Sequence, residues 1–91
     1  MTEMTESNGH TPIYVELDAT GLHCPQPVLM ARKALAELQV NERLILLADD
    51  PHAEIDVEVF CQRTGNRLIR VDIDGDTLRF EIQPRELETN S

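Results

Sequence analysis

The sequence predicts a small α/β domain in the order β-α-β-α-β-β, and three observations predict it. Residues 13–18 alternate apolar and polar side chains, and residues 28–38 carry a helical apolar stripe directly behind two prolines. Asp74-Gly75-Asp76 then separates two short runs of strand-forming residues. A short βαβ start, followed by a helix and a hairpin, gives one sheet with both helices on one face.

Each element has its own justification. Residues 1–10 (MTEMTESNGH) are polar and aperiodic, so they are expected to be a disordered tail in which His10 is incidental. The domain itself is assigned to residues 11–84. Ile13, Val15 and Leu17 share one side of a half-buried strand, with Tyr14, Glu16 and Asp18 on the other. The first helix begins at Pro25 or Pro27, because proline suits a first turn and disfavours helix in the residue before it. Val28, Ala31, Leu35 and Leu38 form its inner stripe, widened by Ala34. Gln26, Met30, Lys33 and Glu37 are assigned to the opposite face, and Asn41 to a left-handed stop. Leu44 to Ala48 is a continuous apolar run, as an interior strand requires.

The next segment supports two readings. Ile55 to Val59 alternates like a strand, yet Ala53, Val57, Phe60, Cys61 and Thr64 fall on one helical face. Asp50 as a cap and Pro51 in the first turn favour the helix, which Gly65-Asn66 ends. Strands at Leu68–Ile73 and Thr77–Ile82 flank the turn at Asp74-Gly75-Asp76. Pro84 closes the last strand, and residues 85–91 form a polar C-terminal tail.

Composition narrows the function. The chain has 91 residues and 17 acidic against 8 Lys and Arg side chains, a formal charge of −9. That balance argues against direct nucleic-acid binding, which depends on neutralising phosphates. One Tyr, two Phe and no Trp give no base-stacking platform. An acidic protein of this size suits a basic protein surface, although the charge also serves solubility. No apolar run approaches the ~20 residues of a membrane span, and no export signal is visible. With two unequal cysteines, a reducing cytoplasm is the expected compartment.

The chemistry concentrates at Gly21-Leu22-His23-Cys24-Pro25-Gln26-Pro27. Gly21 supplies flexibility, and Pro25 and Pro27 place the Cys24 sulfur at a helix N-terminus. The macrodipole there favours an anion, so a lowered thiol pKa is expected. His23 points away from its neighbour on an extended segment and is assigned no firm part. Cys61 stands 37 residues from Cys24 on an apolar helical face, and is read as buried and inert. Glu54, Asp56 and Glu58 are read as a solvated face. The three His and two Cys lack zinc-ligand spacing, so neither a metal nor a cofactor is expected. Arg32 and Lys33 form a small basic spot, either a docking contact beside the thiol or an ordinary solvated face with a weak Lys33–Glu37 pair.

This Cys-Pro-x-Pro stretch resembles the signature of the TusA/SirA-like sulfur carrier family. The resemblance continues through Leu17-Asp18-Ala19-Thr20, Arg32-Lys33-Ala34-Leu35, Ala48-Asp49-Asp50-Pro51 and Phe60-Cys61 before Gly65, spanning roughly residues 15–82. It implies a two-layer sandwich with a mixed four-stranded sheet. It also implies a sulfurtransferase in which Cys24 takes up a persulfide from a cysteine desulfurase and passes the sulfur to a thiol-bearing acceptor protein. In the TusA branch that relay leads toward 2-thiouridine at the tRNA wobble position. Related members feed molybdenum-cofactor maturation or sulfur oxidation, and SirA-like members imply a non-catalytic regulatory alternative. A thiol redox protein is a further alternative.

Overall fold

The computed structural model describes residues 11–85, so the predicted tails lie outside the described residues, Arg85 excepted. Six elements follow one another: β1 (Ile13–Asp18), α1 (Gln26–Glu37), β2 (Glu42–Ala48), α2 (Ala53–Thr64), β3 (Arg67–Asp74) and β4 (Thr77–Gln83). The sheet order is β1-β2-β4-β3, with β1 and β2 parallel and the other pairs antiparallel. The predicted α/β order and mixed four-stranded sheet are therefore present.

The core lies between the helices and one face of the sheet. Leu44, Leu46 and Ala48 of β2 alternate inward beside Leu78, Phe80 and Ile82 of β4, and all six are buried. Against them pack Pro27, Ala31 and Leu35 of α1 and Ala53, Val57 and Cys61 of α2. Burying a side chain the size of Phe80 contributes about 1.5–3 kcal/mol, so the two central strands dominate the stabilisation. The helical reading of the second segment holds: the alternation at Ile55–Val59 gives way to the face predicted from Ala53 to Thr64.

Several local expectations fail. Ile13 is 53% exposed because it lies at the outer end of the edge strand β1. Met30 is half-buried against the core rather than on the outer face, since α1 uses a wider stripe than its two central rows. No non-glycine residue has positive φ among the described residues, so Asn41 is not a left-handed stop. Instead α1 ends as Leu38 becomes extended (φ −85°, ψ 150°), and the Asn41 carbonyl accepts the Ile13 N–H at 3.0 Å. Gly65 does adopt the left-handed conformation, φ +85°, and its N–H donates to the Cys61 carbonyl at 2.9 Å.

The face of the sheet away from the helices is closed by charge. Glu81 is 7% exposed and accepts a 2.9 Å hydrogen bond from Arg43. Asp72 pairs with Arg70 at 3.2 Å and with Arg79 at 3.6 Å. The parallel pair positions the site: the loops after β1 and β2 leave from the same, carboxyl edge of the sheet, where α/β folds commonly place their chemistry.

Candidate functional site

Two adjacent loops build the site. The first, residues 19–25, begins with Asp18, whose Oδ1 accepts the Thr20 hydroxyl at 2.6 Å and its N–H at 3.0 Å. Those two donors, the hydroxyl first, hold the Asp18 carboxyl below its ordinary pKa. Gly21 then takes φ +85°, a conformation strained for any other residue. Ala19, fully buried, ties the loop to the sheet through its N–H to the Leu47 carbonyl at 2.8 Å.

The second loop, Asp49-Asp50-Pro51-His52, fastens the first. Asp49 Oδ1 accepts the Gly21 N–H at 3.0 Å, and Asp50 Oδ2 accepts the Cys24 N–H at 2.8 Å. The other oxygen of Asp50 accepts the His52 N–H at 2.9 Å and lies 3.3 Å from the His52 ring. His23 Nδ1 is 3.9 Å from Asp50 Oδ2. The Cys24 N–H, followed by that of His52, holds the Asp50 carboxyl below the usual carboxylate range. Asp50 thus joins two loops and opens the turn before α2, whose regular part starts two residues later than a direct cap would place it.

Cys24 is exposed and free, whereas Cys61 is free and buried, its thiol pushed up to about 11 by burial. The Cys24–Pro25 bond is cis, and α1 starts at Gln26, between the two prolines. Pro27 is fully buried, and the Pro25 carbonyl accepts the Leu29 N–H at 3.0 Å. The prolines therefore seat the start of α1 and leave the cysteine on the loop before it.

The thiol's electrostatics run opposite to the sequence-based expectation. Its pKa is raised above the ordinary value, first by the Asp56 side chain, then by desolvation and by the charges of Asp56 and Asp50. Two nearby carboxylates oppose a further negative charge at the thiol. Asp56 Oδ2 is buried and without a hydrogen-bond partner among the described residues. Asp56 is thus not part of a solvated face, although Glu54 and Glu58 are exposed as expected. Sequence reasoning missed Asp56 because nothing within its own helix shows that the Cys24 loop, 32 positions earlier in the chain, folds near it.

Arg32 and Lys33 are exposed, and no ion pair or hydrogen bond links either to the Cys24 loop or to Glu37 among the described residues. Arg32 lines a groove of about 320 Å³ between the helices, with Leu35, Phe60, Thr64, Asn66 and Arg85. Arg85 is fixed there by donating to the Thr64 carbonyl at 3.2 Å. No group of three His, Cys, Asp or Glu side chains is arranged to hold a metal ion among the described residues. No described helix is long and apolar enough to cross a membrane.

An exposed thiol on a loop braced by two aspartates, with no acid–base array beyond them among the described residues, suits a group that is loaded and unloaded by other proteins. Comparison with known proteins agrees. The crystal structure of a SirA-like protein from Desulfitobacterium hafniense superposes with a TM-score of 0.69 at 27% identity, covering 81% of this chain and 100% of that one. The family described as Sulfurtransferase TusA matches residues 15–84. The chain belongs to the TusA sulfurtransferase family, and its role is that of a sulfur carrier.

Proposed function

We propose that Cys24 accepts persulfide sulfur from a cysteine desulfurase and relays it to the thiol of an acceptor protein, on a path toward 2-thiouridine at the tRNA wobble position. The observation that carries this reading is the contrast between the two thiols: Cys24 is exposed at a braced loop, Cys61 is buried in the core. Gly21, Pro25 and Pro27 position the loop, and Arg32 and Lys33 serve docking. Two free cysteines suit a reducing cytoplasm.

The exchange is a displacement at sulfur. The Cys24 thiolate attacks the terminal sulfur of the donor's persulfide. The donor's S–S bond breaks as the new one forms, Cys24 becomes Cys24–S–SH, and the proton lost by Cys24 ends on the donor's departing thiolate. In the second exchange an acceptor thiolate attacks that outer sulfur, and Cys24 leaves as thiolate and regains a proton. No net oxidation occurs in either step, so neither needs a cofactor.

Incubation with a desulfurase and cysteine, followed by intact mass measurement, tests the reading. Wild type and Cys61→Ser should gain a reducible adduct of about 32 Da, one sulfur atom. Cys24→Ser should gain none and keep its circular dichroism. An unmodified wild type would favour a regulatory module, and a Cys24→Ser variant that still loads would move the site elsewhere.

A further inference from the structure

An apolar groove opens on the same edge of the sheet as the thiol loop. Pro51, Ile73 and Leu78 line it together with Asp49, Gly75 and Asp76, and its volume is about 500 Å³. Ile73 is 64% exposed although it stands in a strand, so the groove offers apolar surface to a partner. Strand register fixes its place. Ala48 at the end of β2 pairs with Leu78 of β4, and Leu78 pairs with Ile73 of β3. The turn between β3 and β4 therefore stands at the carboxyl edge of the parallel pair β1 and β2, where the Cys24 loop begins. Asp49 connects the two features: it lines the groove, and its Oδ1 accepts the Gly21 N–H of the thiol loop at 3.0 Å.

Charge decides what the groove accepts. The three connections of this edge, residues 18–25, 49–52 and 74–76, hold five aspartates and neither Lys nor Arg. Cations elsewhere on the sheet are already paired, Arg70 and Arg79 with Asp72 and Arg43 with Glu81. Among the described residues no ion pair involves Asp49, Asp74 or Asp76. An acidic partner is repelled here, and a basic one is attracted without meeting a like charge. Lys and Arg also match the apolar floor, because their aliphatic stems cover apolar surface while their heads stay with water and counter-charge.

We propose that this groove is where the sulfur donor docks: a basic segment of the donor lays Lys or Arg stems along Pro51, Ile73 and Leu78 and sets their cationic heads against Asp49, Asp74 and Asp76. This rests on the carrier reading and adds to it the chemistry of the partner's surface. A donor that also meets the exposed Arg32 and Lys33 of α1 must present opposite charges to the hairpin and to the helix. That requirement fixes its orientation over the thiol.

The test compares two sulfur sources in variants whose fold is checked by circular dichroism. Asp74→Lys combined with Asp76→Lys should slow loading by a purified cysteine desulfurase about tenfold at low salt, within the range of electrostatic steering. The gap should narrow as salt rises. Loading by inorganic polysulfide, an anion that the acidic edge repels, should hold or quicken in the same variant. Ile73→Ser leaves the turn and its charges in place and should slow desulfurase loading about threefold at any salt, since it removes apolar contact alone. Unchanged desulfurase loading in the folded double variant would overturn the proposal, as would a loss shared equally by both sulfur sources. Should the double variant not fold, unchanged loading in Ile73→Ser overturns it instead. A wild type that loads from polysulfide but from no desulfurase would retire the carrier reading and this surface with it. A wild type that loads from both, beside variants that match it, retires the surface alone.

Discussion

At the scale of single residues, the site is set by aspartates doing different work within a few ångströms. Asp50 accepts two backbone N–H groups, from Cys24 at 2.8 Å and His52 at 2.9 Å, so its ionised form is favoured by folding. A carboxylate with a depressed pKa stabilises the fold above its unfolded value, about 3.9, and that contribution is lost as pH falls through the folded value. Asp50→Asn should therefore lower the melting temperature at neutral pH, and the gap from wild type should shrink below about pH 4. A gap that stays constant down to about pH 2 would show that the charge is not what the two donors hold. The buried thiol has the opposite sign. Burial raises Cys61 to about 11, so the unfolded chain ionises first and stability falls as pH climbs from about 9 to 11. Thermal melts across that range should show the decline in wild type and a shallower one in Cys61→Ala. At neutral pH, Cys61→Ser should cost about 1–3 kcal/mol in a denaturant titration, because its hydroxyl is placed on an apolar face.

At the scale of elements, what was legible in the sequence was whatever depends on short-range pattern. Gly65 after the stripe from Ala53 to Thr64, and Gly75 between the two last strands, were readable because a left-handed turn has one strongly favoured residue. Gly65→Ala tests this. A Cβ there would meet Arg85 side-chain atoms at 3.8 Å, ordinary contact, so the cost is the backbone strain at φ +85°. That strain is about 1–2 kcal/mol and should appear as a lower denaturation midpoint with unchanged slope. The end of α1 was not readable in the same way. Asn41 has the right chemistry for a stop, but the chain leaves the helix at Leu38, and the Asn41 carbonyl instead accepts the Ile13 N–H of β1. The same limit applied to the site. Cys24, Gly21 and the prolines stand in one contiguous stretch, whereas the partners of that loop, Asp49, Asp50 and Asp56, lie 25 to 32 positions on from Cys24. Asp50 looked like a helix cap and Asp56 like a solvated face until β1 and β2 brought the two loops together. The thiol's electrostatics were misjudged for that reason, since the helix dipole is local and visible in sequence while the carboxylates opposing it are not.

At the scale of the whole molecule, the problem is how a chain with a formal charge of −9 meets larger proteins briefly and lets them go. Transient partners use small interfaces, and a patch of about 800 Å² per partner extends about 16 Å from its centre. Arg32 lies about 9 Å along the axis from the start of α1 at 1.5 Å per residue, less than that radius. Arg32 and Lys33 are exposed and make no ion pair among the described residues, so their charge is available to a partner. Charges in this position act on encounter rate more than on the chemistry. Arg32→Glu combined with Lys33→Glu should thus slow desulfurase-driven loading at least tenfold at low salt, equivalent to about 1.4 kcal/mol. Loading by inorganic polysulfide should barely change, because Cys24 keeps its braces from Asp50 and Gly21. Raising ionic strength should narrow the difference between variant and wild type, as the Debye length falls from about 30 Å at 0.01 M to about 8 Å at 0.15 M. Equal loading rates at low salt would make the two residues an ordinary solvated face and leave the docking to the ground nearer the thiol.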